Sequence, residues 1–61
     1  MALTLKGARV NAGFTQKEAG QRLGVTSVTL GNWEKGKTFP KASQLLKIAE
    51  LYGVRIDDII F

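Results

Sequence analysis

Apolar residues recur along the chain at the three- and four-residue spacing that is typical of amphipathic helices. The clearest stripe occupies positions i, i+3, i+4 and i+7 of one segment and consists of Leu45, Ile48, Ala49 and Tyr52. Gly53 follows directly, and glycine readily adopts the left-handed backbone that ends a helix. The pattern therefore predicts an amphipathic helix that ends at Gly53.

Threonines and glycines divide the N-terminal half of the chain into three further short helices. The first predicted helix ends before Gly13. Thr15 precedes a second helix that ends at Gly24, and Thr26 precedes a third that ends near Gly36. A threonine hydroxyl in this position accepts a hydrogen bond from the backbone of the first turn, so both residues are predicted to be N-caps.

The last eight residues predict a fifth helix. Ile56, Ile59 and Ile60 fall at i, i+3 and i+4, which favours one or two helical turns that close the core. Since 61 residues suffice for only one small core, the chain is predicted to be a single domain, residues 1–61. The predicted fold class is all-α, with five short helices.

The third segment carries two conflicting signals. Four of the five residues from 25 to 29 are β-branched and a glycine stands at 31, so intrinsic propensity favours strand or turn. At helical spacing, however, Leu30 and Trp33 share one side and Asn32 lies on the other, whereas a strand would place Leu30 and Asn32 together. The helical pattern outweighs propensity, although Gly31 should cost the helix about 1 kcal/mol.

Composition argues against catalysis. The chain contains no cysteine and no histidine, which excludes disulfides and thiolate metal sites and removes the commonest general base. The adjacent carboxylates Asp57 and Asp58 are better explained by the preference of acidic residues for the start of a helix. We expect no enzyme, no metal site, no cofactor and no small-molecule ligand.

No uninterrupted apolar run exceeds three residues. A helix needs about 20 apolar residues to cross a bilayer, and the N-terminus lacks the apolar region of a secretory signal. A cytoplasmic chain without a membrane partner is therefore expected.

Positive charge is concentrated in the first two thirds of the chain. Residues 1–41 hold seven Lys and Arg against two Glu, a net charge of +5, whereas residues 42–61 have a net charge of −1. This asymmetry favours a polyanionic partner, with nucleic acid as the first candidate. The alternative is that the lysines only keep the surface soluble.

A short helix, a turn with Gly24 and a second short helix with a polar outer face form a helix-turn-helix arrangement. Several motifs add to it in order and spacing: TQ at 15–16, LGV at 23–25, WEKGK at 33–37, Pro40 and LLKIAELYGV at 45–54. With these motifs the chain, from about residue 5 to residue 60, resembles the Cro/CI-type (XRE-like) helix-turn-helix family of phage repressors and bacterial regulators.

The resemblance implies a compact five-helix repressor-like domain that binds duplex DNA, with a recognition helix at about residues 27–34 in the major groove. It implies a sequence-specific transcriptional regulator that acts as a repressor. The implied base-contacting residues are Ser27, Val28 and Asn32, and the amide of Asn32 suits adenine. The implied contacts to the DNA backbone come from Gln16, Lys17, Thr26, Thr29, Lys35, Lys37 and Lys41.

Alternatives exist for three of these residues. Gln16 could serve in local capping with Thr15 instead of, or as well as, contacting phosphate. Asn32 could simply be solvated, and Val28 could be an ordinary exposed valine.

Arg9 falls within the apolar stripe of the first predicted helix, where Leu5, Ala8 and Ala12 are its neighbours. A buried guanidinium needs a charged partner. Glu34, at the edge of the buried side of the third helix, is the natural partner, and the family resembled has an Arg and Glu pair at the matching positions. We therefore expect a structural ion pair between Arg9 and Glu34.

One module of this size covers about half of a DNA site. We therefore expect a homodimer, at least on DNA, bound to a pseudo-palindromic operator in the nucleoid of a bacterium or a phage-infected cell. The competing hypothesis is a protein-interaction module of antitoxin or anti-repressor type on the same fold. The small number of hydrogen-bonding groups on the outer side of the third helix and the apolar end at Phe61 favour it.

Overall fold

A computed structural model describes residues 3–60, which form four α-helices, one 3-10 turn and two short strands. In chain order the elements are β1 (Leu3–Thr4), α1 (Leu5–Asn11), α2 (Gln16–Leu23), α3 (Ser27–Lys35), α4 (Ala42–Tyr52), the 3-10 turn Ile56–Asp58 and β2 (Ile59–Ile60). The four helices predicted before residue 54 are confirmed. Phe61 lies outside the described residues.

The prediction of a fifth α-helix is wrong. Only the three residues of Ile56–Asp58 are helical, and the chain then becomes extended at Ile59. Strand β2 pairs in parallel with β1, so that Leu3 is aligned with Ile59. Isoleucine fits a strand as well as a helix, and the pairing partner lies at the other end of the sequence. The fold is therefore mostly helical, with a small parallel sheet that joins the two ends.

The predicted N-caps are present. The Thr15 hydroxyl accepts a hydrogen bond from the Glu18 backbone N–H at 3.1 Å, and the Glu18 side chain accepts one from the Thr15 N–H at 3.1 Å. The bond from the Thr15 backbone N–H to the carboxylate, with a smaller contribution from the Thr15 side chain, holds the pKa of Glu18 below its usual value. Thr26 caps α3 in the same way, through the N–H of Thr29 at 3.1 Å. Gly24 ends α2 with a φ of 74°.

Helix α3 buries the side that the helical pattern predicted. Leu30 is fully buried and Trp33 is 5% exposed, whereas Val28 is 71% exposed. The two buried side chains join a core that also contains Ile48 and Tyr52 of α4. Burial of large apolar side chains therefore overrides the strand propensity of the segment.

The angle between α2 and α3 depends on Gly20. The turn folds back so that the Val25 N–H donates to the Gly20 carbonyl at 2.8 Å. A Cβ atom at Gly20 would lie 2.8 Å from the Val25 carbonyl oxygen and 3.3 Å from the Thr26 carbonyl carbon. Any side chain at position 20 would push this backbone away, so glycine permits the close approach of the turn to α2.

A buried ion pair joins α1 to α3. The Arg9 Nε donates to Glu34 Oε2 at 2.7 Å, and Nη2 donates to Oε1 at 3.3 Å. The third guanidinium nitrogen, Nη1, donates to the Phe14 carbonyl oxygen at 2.8 Å. The two side chains are 9% and 4% exposed. The guanidinium therefore fixes the orientation of α3 relative to both α1 and the loop before α2.

Removal of the Glu34 carboxylate should destabilise the fold strongly. Glu34→Ala leaves the buried guanidinium without its counter-charge, and loss of one partner of a buried pair costs about 3–5 kcal/mol. Chemical denaturation monitored by circular dichroism measures the change. The control is Asp57→Ala, since the Arg55 and Asp57 side chains form a pair at 3.7 Å that is about 80% exposed and should contribute less than about 1 kcal/mol. Equal midpoints for Glu34→Ala and the unmodified chain would contradict this account.

Two glycine substitutions should change stability in opposite directions. Gly20→Ala forces a Cβ to within 2.8 Å of a backbone oxygen and should destabilise the fold by about 1–3 kcal/mol. Gly31→Ala places its Cβ 3.5 Å from the Gln16 Nε2, an ordinary contact, and should stabilise the fold by up to about 1 kcal/mol through helix propensity. Thermal melting of both variants measures the difference, and a shift in the same direction for both would refute this explanation.

Candidate nucleic-acid interface

A surface depression lies where the outer side of α3 meets the start of α2. The residues that line it are Gln16, Ser27, Val28, Gly31, Asn32 and Lys35. Ser27 and Val28 are exposed and Asn32 is half-buried. The three residues assigned to base contact from the sequence therefore lie together in one concave surface, because helical spacing turns them away from Leu30 and Trp33.

Exposed lysines lie at the end of α3 and in the segment after it. Lys35 lines the depression, and Lys37 and Lys41 are exposed in the segment that leads from α3 to α4. The backbone of this segment is anchored, since the Lys37 N–H donates to the Asn32 carbonyl at 3.0 Å and the Lys41 N–H donates to Gln44 Oε1 at 2.8 Å. Lys17 is exposed on α2 and does not line the depression.

Two threonine hydroxyls at the start of α3 differ in what they can offer a ligand. The Thr26 hydroxyl accepts from the Thr29 N–H and donates its hydrogen to Thr29 Oγ1 at 3.0 Å. It is thus engaged in capping. The Thr29 hydroxyl oxygen is the acceptor in this pair. No described residue accepts the Thr29 hydroxyl hydrogen, so this hydrogen can be donated to a ligand.

The side chain of Gln16 extends from the first turn of α2 to α3. Its Nε2 donates to Glu34 Oε1 at 3.0 Å, so the amide is connected to the ion pair with Arg9. The capping partner of Thr15 is Glu18, and Gln16 is not used for that purpose. The contact between Gln16 and Glu34 is not apparent from the sequence, where the signals for it are a glutamine at the start of α2 and a glycine on the facing side of α3.

The ion pair also influences the core residue Tyr52. Burial raises the pKa of Tyr52 to about 12, the Glu34 carboxylate adds to the rise, and Arg9 opposes it. The ring of Tyr52 lies against Phe14, with centroids 6.2 Å apart. The Tyr52 phenol is therefore neutral at physiological pH and adds no charge near the ion pair.

Among residues 3–60, no group of three or more carboxylate, thiol or imidazole side chains is placed to hold a metal ion. No helix in this range combines the length and the apolar character needed to cross a membrane.

Comparisons with known proteins identify the arrangement. A family described as helix-turn-helix matches residues 5–59. The HTH-type transcriptional regulator ImmR of Bacillus subtilis is 41% identical over 56 residues, which are 92% of this chain and 44% of ImmR. An uncharacterised HTH-type transcriptional regulator of Methanocaldococcus jannaschii is 40% identical over 55 residues, 90% of this chain and 83% of that protein.

A third relative, an uncharacterised HTH-type transcriptional regulator of Archaeoglobus fulgidus, is 36% identical over 59 residues, 97% of this chain and 83% of that protein. The chain thus spans less than half of ImmR and about four fifths of the two archaeal relatives. No solved structure gives a significant match. The family match covers α1 to the start of β2, including the whole depression, so this chain belongs to the helix-turn-helix family of DNA-binding transcriptional regulators.

Proposed function

We propose that the chain binds a specific duplex DNA sequence with α3 in the major groove, and that it represses transcription from the site it occupies. The observation that carries this proposal is the depression on the outer side of α3, where Ser27, Val28 and Asn32 lie beside Lys35. Helix α3 is the second helix of the helix-turn-helix and presents its polar side outward. An α-helix in this position fits the width of the major groove.

Each of the three residues suits a different feature of a base edge. The Asn32 amide has both a donor and an acceptor and can pair with adenine N6 and N7. The Ser27 hydroxyl can donate or accept. Val28 is 71% exposed and offers methyl groups, which suit the C5-methyl of thymine. The proposed recognition sequence is therefore rich in A·T pairs.

Contacts to the DNA backbone would supply affinity that does not depend on sequence. The candidates are Lys35 in the depression, Lys37 and Lys41 in the segment after α3, Lys17 on α2, and the hydroxyl of Thr29. Thr26 would contribute through its backbone, since its hydroxyl caps α3. The net charge of +5 on residues 1–41 supports a polyanionic ligand.

The oligomeric state on DNA follows from the size of the module. One α3 reads about one half-site, so two copies on a pseudo-palindromic operator, with half-site centres about 34 Å apart, would double the contacts.

We assign the chain to the cytoplasm, at the nucleoid, of a bacterium or a phage-infected cell, in the role of a repressor of phage or mobile-element type.

Asn32 and Lys37 substitutions should affect DNA binding differently. Asn32→Ala should weaken binding to the preferred sequence by about 1–3 kcal/mol and relax the preference at one base pair per half-site. Lys37→Ala should weaken binding equally for all sequences and lower the slope of log K against log salt by about 1 per protein copy. Selection from randomised duplexes, followed by fluorescence anisotropy over a salt series, measures both effects.

The matched control is Lys47→Ala, which removes the same charge from the exposed side of α4. It should leave the preferred sequence unchanged and reduce the salt slope less than Lys37→Ala does. Failure of the unmodified chain to enrich any sequence, together with salt-independent binding, would exclude the proposal. Tight association with a protein in place of DNA would favour the module of antitoxin or anti-repressor type.

A further inference from the structure

We propose that Glu34 is a positioning residue for DNA binding, because its hydrogen bond holds the Gln16 amide ready to donate to a DNA phosphate. Glu34 does not line the depression and would act through Gln16, which does. The inference rests on the proposed DNA binding, with Gln16 as the backbone contact that the family resemblance implies for α2. It adds the buried group that prepares this contact before DNA arrives.

The Gln16 side chain is attached to a buried cluster. Its Nε2 donates to Glu34 Oε1 at 3.0 Å. The Glu34 side chain is 4% exposed and accepts from Arg9 Nε at 2.7 Å and from Arg9 Nη2 at 3.3 Å. Arg9 Nη1 in turn donates to the Phe14 carbonyl oxygen at 2.8 Å. An amide that lines the depression is therefore anchored in the interior of the domain.

The hydrogen bond to Glu34 also determines which atoms of the Gln16 amide remain for a ligand. A carboxylate can only accept, so the amide nitrogen, and not the oxygen, faces Glu34. Among the described residues, one Nε2 hydrogen of Gln16 has an acceptor, which leaves the second hydrogen for a ligand. A phosphate oxygen can only accept, and this second hydrogen is a donor of the kind it requires.

A donor that is held in place before binding makes a stronger contact. A glutamine side chain on a surface loses rotamer freedom when it contacts a ligand, and this loss opposes binding. Gln16 is half-buried and its amide is already bonded to Glu34, so part of the loss occurs on folding. Without Glu34, the phosphate itself would have to order the amide.

Arg9 allows a carboxylate to serve as the anchor near a polyanion. An unpaired carboxylate would repel phosphate groups. The Arg9 guanidinium lies 2.7 Å from the Glu34 carboxylate and carries the opposite charge, so the pair as a whole is neutral. The pair therefore positions a donor without opposing the attraction between the lysines and DNA.

The test removes the anchor while it preserves the net charge. Arg9→Met combined with Glu34→Leu replaces the buried pair by apolar side chains, a change that folded proteins often tolerate. Fluorescence anisotropy measures affinity for the selected duplex, below the melting temperature that circular dichroism gives for each variant. Gln16→Ala should weaken binding about 2- to 12-fold per bound copy, equally for all sequences. The apolar replacement should also weaken binding, by at most that factor, but should cause no further loss in a chain that carries Gln16→Ala.

Lys17→Ala provides the matched background. Lys17 is exposed next to Gln16 on α2, and its contact with phosphate should not depend on Glu34, so its loss should add to that of the apolar replacement. A merely structural role of the ion pair, through the orientation of α3, predicts additive losses in both backgrounds. Additive losses with Gln16→Ala would therefore overturn the inference, and so would an unchanged affinity of Gln16→Ala itself.

A second measurement uses the unmodified chain and does not require the apolar replacement to fold. The heteronuclear 15N NOE of the Gln16 side-chain amide, without DNA, should approach the backbone values. The side-chain amide of Gln21, exposed on the same helix, should give a much lower value. Equal mobility of the two amides would overturn the inference and leave DNA binding intact. Failure of the unmodified chain to bind any selected duplex would remove the proposed function itself, and this inference with it.

Discussion

The carboxylate of Glu34 joins the three N-terminal helices at one point. It belongs to α3, accepts two hydrogen bonds from the Arg9 guanidinium of α1, and accepts a third from the Gln16 amide of α2. A buried charge with these partners is tolerated because each donor compensates for lost hydration. The same group that orients α3 against the core also orients the amide beside Gly31, so stability and the candidate DNA surface depend on a single side chain.

Helix α3 shows how tertiary contacts select a conformation that its own residues disfavour. The β-branched residues and Gly31 weaken the helix, while the cap at Thr26 and the burial of Leu30 and Trp33 hold it in place. Of the residues with weak helix propensity, Val28 is exposed, whereas Gly31 is buried and Val25 packs against the core. Only the exposed members are therefore available to a ligand.

Much of the fold could be predicted because its signals are local. The helix caps at Thr15, Thr26 and Gly24 each depend on residues within one helical turn. The ion pair could be predicted for a different reason, because Arg9 in an apolar stripe required an acidic partner. The pairing of Leu3 with Ile59 could not be predicted, since three spaced isoleucines suit a helix equally well and the partner strand lies at the far end of the chain. The contact of the Gln16 amide with Gly31 could not be predicted either. Glycine has no side chain whose type or spacing indicates a contact, and this contact depends on the angle between α2 and α3.

The surface organised around Glu34 is the one proposed to contact DNA. Titration of the 15N-labelled chain with a duplex obtained by selection, followed by two-dimensional NMR, locates the contact residue by residue. The backbone amides of Ser27, Gly31 and Asn32 and the side-chain amide of Gln16 should shift strongly, while the backbone amides of Leu46 and Lys47 on the exposed side of α4 should not. Shifts confined to the exposed side of α4, with the depression unaffected, would contradict this proposal.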